Sequence, residues 1–446
     1  MAGGIFITQN KIRPGFYHRF TAQPSNKRLW GEIGTAALPL ELDWGAPDMV
    51  MLDADGQEND FFRAIGRGKD EVLLVREALK RAQRLLVYRV NAGGAKATLD
   101  LSPQPIQAQA RYDGARGNDI SVQLAEDQEW PGTYIMSTYV ESVLRDEQRG
   151  LENAEELLDN DWVRFAGSGA LTAAAGGQLT GGSNGMATAN QYEQFLQALE
   201  SWDFNSFALP KDDDALKVRF VDASKRFVET QGRLVQCIVP DCVANYEAVT
   251  SLKNGVVLQD GTVIDKAAAV AWYAGAAAAA GAAHSLTYTA YDGATEPDAR
   301  LNDTQVKAAL RTGHVVFVAQ KNEAGTPIAV VEQDIDTLTT FSPERPQAWS
   351  KNRVVRSLYH LVNSLTRVWH LYYVGKVDNN AAGRNLFKAD LASMMRALEE
   401  QGALENFDAE EDITVKKGDS SDAVVATLAV QPVDAMEKMY MTVELS

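Results

Sequence analysis

Apolar residues recur at spacings of three and four across residues 351–369, where Val354, Leu358, Leu361, Leu365 and Val368 fall on one face; this predicts a strongly amphipathic helix. Residues 371–375 (Leu-Tyr-Tyr-Val-Gly) read as a strand. A second helix is expected to open after Asn379-Asn380 and close at Gly402, burying Phe387, Leu391, Met394, Met395 and Leu398. Residues 413–415 and 424–430 read as strands around the turn Lys416-Lys417-Gly418-Asp419. Residues 439–446 alternate strictly, so Met439, Met441, Val443 and Leu445 line one face of a terminal strand.

Earlier in the chain the pattern changes. Residues 1–20 hold a short β-like piece, Ile5-Phe6-Ile7-Thr8, then Pro14-Gly15, and read as an extended arm. Residues 34–42 read as a buried strand, 71–82 as a helix with Val72, Val75, Leu79 and Ala82 on one face, and 85–90 as an apolar strand. Short strands dominate residues 97–165, including 120–124 and 134–144, with a compact helix at 154–158. A small-residue tract at 167–185 marks a boundary. From 190 to 341 strands and helices alternate. Helices are expected at 192–199, 217–231, 241–252, 267–283 and 304–311, with strands at 206–209, 234–239 and 314–319. That rhythm predicts a largely parallel sheet with crossover helices.

The 446 residues are 45% hydrophobic and 23% charged, ordinary globular proportions that suggest about three domains. Lys and Arg number 43 against 60 Asp and Glu, a net charge of −17, which argues against binding along nucleic-acid phosphates. The alanine-rich stretch 267–283, with Gly275 and Gly281, reads as a tightly packed helix with close backbone approach rather than a membrane span. Two cysteines, Cys237 and Cys242, are too few for a disulfide framework and are expected as free thiols in a reducing compartment. The opening residues show neither a basic nor an apolar signal region, so synthesis in a cytoplasm is expected.

Chemical motifs are sparse. Gly181-Gly182-Ser183-Asn184-Gly185 satisfies G-x-S-x-G, but no hydrophobic strand precedes it, which favours a flexible loop over a nucleophile elbow. His18, His284, His314, His360 and His370 show no metal-ligand spacing. Asp53, Asp55, Gln57, Asn59 and Asp60 carry a glycine at the fourth rather than the sixth place and no terminal bidentate glutamate, unlike a calcium loop, and read as a solvated turn. No phosphate-binding or dinucleotide fingerprint occurs.

Several segments together resemble the contractile tail sheath family of myovirus-type phages and phage-tail-like bacteriocins, closest to compact sheaths of defective prophages. They are residues 3–17, Leu38-Pro39-Leu40-Glu41-Leu42-Asp43-Trp44-Gly45, residues 112–120 (similar to the family's Y-x-G-x-R-G-N-D-I signature), 179–185, and most specifically 373–384 with 431–440. The resemblance implies an α/β and α+β multidomain fold. It comprises an arm (1–20), a first part of the assembly domain (21–96), a β-rich inserted domain (97–180) and an α/β subtilisin-like-fold domain without a catalytic triad (181–345). A C-terminal part of the assembly domain (346–434) and an arm strand (435–446) complete it. The first block and the last hundred residues are expected to pair as one discontinuous domain.

The function implied is a structural subunit, with no enzymatic activity and no cofactor. It would form sixfold rings stacked helically around a tail tube, contracting to drive the tube through a bacterial envelope. Partners would be further copies, the tail tube protein, and baseplate and tail terminator proteins, without nucleic acid or membrane insertion, in a virion or phage-tail-like particle assembled in the host cytoplasm. Ile5, Ile7, Met439, Met441, Val443 and Leu445 would donate strands between subunits. Arg384, Lys388 and Arg396 form a basic flank expected to face the tube. Two other readings compete: a serine hydrolase through Ser183, and a receptor- or glycan-binding tail or baseplate protein built on the β-rich region.

Overall fold

Seven strands drawn from distant parts of the chain form the central sheet of the computed structural model, which describes residues 2–5, 15–18, 34–101, 106–172 and 174–444. Their order is His314–Val315, Val249–Leu252, Gln236–Pro240, Ser206–Ala208, Thr35–Leu40, Arg84–Arg89 and Met49–Asp53. Every neighbour pair is parallel except the last, where Met49–Asp53 runs antiparallel to Arg84–Arg89. The predicted parallel sheet is therefore present. Its inner strands Thr35–Leu40 and Gln236–Pro240 are buried along their whole length, as expected of a sheet covered on both faces.

The first block shares its sheet with the central region. Strand Thr35–Leu40 pairs with Ser206–Ala208 (Ala36↔Ser206, Ala37↔Phe207), so the first block joins the sheet of the central region. Ala36, Ala37 and Leu38 have no solvent exposure and need apolar cover on both sides, which only an interior position supplies. The C-terminal region contributes a helix instead. Val355 and Tyr359 of helix Asn352–Val368 pack with Leu86, Tyr88 and Phe207 on one sheet face.

Three local expectations are corrected. Of the helix expected at 241–252, residues 241–248 are a loop, with Asp241 at φ 38°, leading into strand Val249–Leu252; all four strand residues are buried, which suits β-branched Val249 and Thr250. Residues 371–375 are not a strand: helix Asn352–Val368 continues as a π-turn, Trp369–Tyr373. The four-residue spacing stacks the Trp369 and Tyr373 rings at 5.6 Å, with Phe387 against both. Residues 134–144 span a hairpin, Tyr134–Val140 with Val143–Leu151, turning through Glu141 and Ser142 at φ 49° and 66°.

The alanine-rich helix Lys266–Ala279 crosses the other sheet face and is buried nearly all round. A Cβ on Gly275 would sit 2.2 Å from the Ala78 carbonyl, so glycine is what lets helix Leu73–Leu79 approach this closely. The expected close packing is found. The β-rich region holds two antiparallel sheets, one ordered Val143–Leu151, Tyr134–Val140, Ile120–Glu126, Ala174–Gln178 and the other Val163–Gly167, Ile106–Ala110, Thr98–Asp100. Beyond residue 380, helix Ala381–Glu400 buries all five predicted residues, packing with the hairpin Ile413–Lys417 and Val424–Leu428.

Candidate assembly surface

The motif at residues 112–120 works as a junction. Arg116 is fully buried and donates Nε to Gly66 O (2.9 Å) and Nη1 to Asp119 (3.0 Å) and to Glu141. Asp113 Oδ2 accepts from Gly93 N (3.0 Å), Gly94 N (2.9 Å) and buried Arg89 Nη2 (3.2 Å). Gly114 sits at φ 133° with its Cβ position only 2.0 Å from Asp43 O, a site closed to other residues. Trp44 from the first block packs in the β-rich core at 5.2 Å from Trp162. The motif thus clamps the β-rich region to the first block.

A second buried hub joins the C-terminal helix to the sheet. Asp334 accepts from Tyr273 OH (2.6 Å), Asn352 Nδ2 (2.9 Å), Leu286 N (2.8 Å) and Arg356 Nη2 (2.6 Å). Asn352 Oδ1 in turn accepts from Gln236 Nε2 (2.9 Å) and Thr250 Oγ1 (3.1 Å). Burial pushes the Asp334 carboxyl up, but Arg356 and the other donors outweigh it and hold it below its ordinary value.

From this body the C-terminal segment runs out along the surface. Glu437 pins it: the carboxylate accepts from Thr287 Oγ1 (2.8 Å), Gln333 Nε2 (2.6 Å) and Lys351 Nζ. Burial raises the Glu437 carboxyl, and these three hydrogen bonds together carry it below the usual glutamate range. Past the pin, none of residues 438–444 hydrogen-bonds to another described residue. Met439 is 81% exposed, Met441 71%, Val443 70% and Tyr440 92%, and the described residues 439–444 form no strand within this chain, in place of the expected terminal strand, because no partner strand lies beside them. The alternating apolar face is therefore open. Ile5 lies in strand Ala2–Ile5, paired in parallel with Gly15–His18 (Ile5↔His18); Ile7 and Leu445 lie outside the described residues. Nothing in the sequence singled out Glu437 as the pin; its segment was marked only by the family resemblance.

The basic flank of helix Ala381–Glu400 is partly spent within the chain. Arg384 Nη1 donates to Asn379 O (3.1 Å) and Oδ1 (3.0 Å), and Lys388 pairs with Glu410 at 2.8 Å. Arg396 is exposed and makes no ion pair among the described residues.

Elsewhere polar groups serve structure. Ser183 Oγ accepts from Ala95 N (3.2 Å) within a bridge between the two backbones, and no helix begins until Ala189, so the elbow geometry is missing. His314 is buried, with Nδ1 2.9 Å from Thr312 Oγ1 and Nε2 3.3 Å from Asp241. At the carboxyl end of strand Gln236–Pro240, Asp241 also pairs with Lys253 (2.8 Å) and Lys266 (3.1 Å). The stretch at 53–60 caps helix Glu58–Ile65, with Asp60 Oδ2 accepting from Gln57 N. Cys237 and Cys242 are free thiols. Among the described residues no helix is long and apolar enough to cross a membrane, and no group of three His, Cys, Asp or Glu is placed to hold a metal.

Four family models cover most of the chain: Tail sheath protein Gp18 domain III N-terminal region (34–90), Phage tail sheath protein beta-sandwich domain (92–184), Phage tail sheath protein central domain (185–335) and Phage tail sheath C-terminal domain (344–446). The chain is 32% identical to the Phage-like element PBSX protein XkdK of Bacillus subtilis over the full length of both. It is similar to the sheath tail protein of Desulfitobacterium hafniense, at 39% identity and TM-score 0.82 over 96% of this chain and 99% of that one. A sheath tail protein of Listeria innocua matches at 32% identity and TM-score 0.80, covering 93% and 95%. The β-rich region thus matches a β-sandwich of the same family, and the receptor-binding reading is not favoured.

Proposed function

The chain belongs to the phage tail sheath protein family, and we propose that it is the repeating subunit of a contractile sheath. Copies stack as hexameric rings around a tail tube, and shortening of the stack drives the tube through a bacterial envelope. The observation that carries this reading is the pinned, exposed arm. A single subunit leaves Met439, Met441 and Val443 in water, a hazard unless association is the purpose. Each such side chain contributes about 1.5–3 kcal/mol when covered. Met439, Met441, Val443 and Leu445, and Ile5 and Ile7 from the other arm, donate strands to neighbouring copies. These links persist while other surfaces slide.

Within this reading residues 1–20 and 435–446 are the arms, 21–96 and 346–434 belong to the assembly body, 97–180 is the inserted β-rich domain, and 181–345 is a subtilisin-like fold used as scaffold. Helix Ala381–Glu400 faces the tube, with Arg396 as the cation free to engage it beside the internally bonded Arg384 and Lys388. Baseplate and tail terminator proteins close the two ends. Contraction draws on energy stored in the assembled packing, with no nucleotide or metal.

Negative-stain microscopy tests the proposal. The full chain should form sheaths or polysheaths, and deletion of 439–446 should leave a folded body that does not polymerise. Val443→Asp should weaken assembly more than Thr442→Asp. Normal sheaths from the deletion would rule out strand donation.

A further inference from the structure

Residues 431–437 cross a joint between two parts of the chain that have separate cores. Helix Ala381–Glu400 and the hairpin Ile413–Lys417 with Val424–Leu428 enclose one apolar cluster, with Leu391, Met395, Leu398, Ala403 and Leu404 buried in it. From the α/β body that cluster takes Ala282 and Ala283, beside Leu361, Leu365 and Val368 of the connecting helix Asn352–Val368. On leaving the hairpin the chain lies on this helix–hairpin unit. Glu405 N donates to Gln431 O and Val433 N to Ala403 O, both at 3.0 Å, around the bridge Leu404↔Pro432. Gln431 Nε2 donates to Glu405 Oε1 (2.9 Å) and Asn406 Nδ2 to Gln431 Oε1 (3.1 Å).

Past Val433 the chain is held by the other part. Thr287 and Gln333, which donate to Glu437, belong to the α/β body, and Lys351 stands at the N-cap of the connecting helix with its backbone bridged to Ile335. Between the two holds, residues 434–436 make no hydrogen bond to any other described segment, and Met436 is fully exposed. A chain end frays unless it is tied down, and opening spreads inward to the next secure contact. Glu437 is the last such tie among the described residues. Its carboxylate is only 10% exposed and takes one of its three bonds from an ammonium; such a charge-assisted bond is about twice as strong as a neutral one.

We propose that residues 431–437 are a strap and Glu437 its latch. While Thr287, Gln333 and Lys351 hold the carboxylate, the strap ties the helix–hairpin unit to the α/β body. When the latch opens, the strap peels back to Gln431 and uncovers Ala403 and Leu404. Gly402 O also accepts from Arg353 Nη2 (3.0 Å), so the unit loosens without detaching. Chain order gives the device a direction. A pull on residues 438–444 meets Glu437 first, so the latch yields before any of that pull reaches the pairing at 403–405. The strap is a property of one chain and does not rest on the sheath reading.

Amide hydrogen exchange of the full chain tests this, with parent, Glu437→Ala and Lys351→Met compared in the same assembly state. The Glu405 and Val433 amides, which donate across the pairing, should exchange about tenfold faster or more in Glu437→Ala. Lys351→Met, which leaves the Thr287 and Gln333 donors in place, should give a smaller rise at the same two amides. Amides of strands Thr35–Leu40 and Gln236–Pro240 should keep the parent's rates in both variants. Unchanged exchange at Glu405 and Val433 overturns the strap. A rise of equal size in the central strands also overturns it, because the loss is then global and not a local peeling. Either result leaves the sheath reading standing, since that reading is judged by whether the parent polymerises.

Discussion

Asn118 and Gly182 bond reciprocally: the Asn118 Nδ2 donates to Gly182 O at 2.8 Å, and Gly182 N donates to Asn118 Oδ1 at 2.8 Å. One side chain thus satisfies both backbone groups of a residue 64 positions away, tying the 112–120 motif to the 179–185 segment. Both segments carry the family resemblance, and this contact joins them.

Asn118→Ala should destabilise the chain by about 1–3 kcal/mol, because two part-buried backbone groups lose their partners. Asn118→Asp keeps an acceptor for Gly182 N but loses the donor, so its cost should be smaller. Chemical denaturation of both variants checks the order.

Gly275→Ala should cost about 1–3 kcal/mol through overpacking against Ala78 O, although alanine favours helix everywhere else along Lys266–Ala279. A melting temperature equal to or above the parent's would show that the two helices have room to part.

Asp336 gives a pH dependence of definite sign. Its Oδ1 accepts from Leu338 N (2.8 Å) while Oδ2 has no partner among the described residues. Burial lifts the carboxyl well above its ordinary value, and Glu247 and Asp334 add to the rise. The folded chain therefore keeps a proton that the unfolded chain releases above about pH 3.9. This group's contribution is most favourable below that pH and declines as pH rises toward the folded value. Asp336→Asn should raise the melting temperature by several degrees at pH 8 and give no gain near pH 4, read by calorimetry across that range.

Glu437→Gln should lower sheath yield while the body melts within a few degrees of the parent, since the pin fixes where the arm leaves and not the core. Because the folded Glu437 carboxyl lies below its ordinary value, its contribution is present above about pH 4.3 and is lost as pH falls through the folded value. Sedimentation of assembled material from parent and variant at pH 7 and pH 4 reads both effects. Equal yields at pH 7 would show that the pin does not matter for assembly.

The two C-terminal helices were legible because Leu361, Val368, Leu391 and Leu398 repeat with the helical period and are buried. The parallel sheet was legible from alternating elements. The neighbour of Thr35–Leu40 was not, because apolar residues on both faces demand an interior position without naming a partner. At residues 371–375 the aromatic and β-branched content matched strand preference, yet the Trp369–Tyr373–Phe387 ring cluster extends the helix. The alternation at 439–444 was readable, but a lone Glu437 between Met436 and Lys438 offered no sign of its three donors.

The bridges Ala95↔Ser183 and Thr98↔Thr180 bear on the order in which the chain folds. Strand Arg84–Arg89 and strand Ser206–Ala208 both flank Thr35–Leu40 in the sheet, yet more than a hundred residues separate them in the chain. Hairpins such as Tyr134–Val140 with Val143–Leu151 pair locally and can close within microseconds, whereas distant parallel pairing is slow. Once the β-rich region has folded, the two bridges draw its entry and exit together, leaving about a quarter of that separation to be closed. On a logarithmic closure law this removes about 1 kcal/mol of chain entropy from the step that completes the sheet. Prior folding of the β-rich region would thereby shorten the closure that completes the sheet on either side of it.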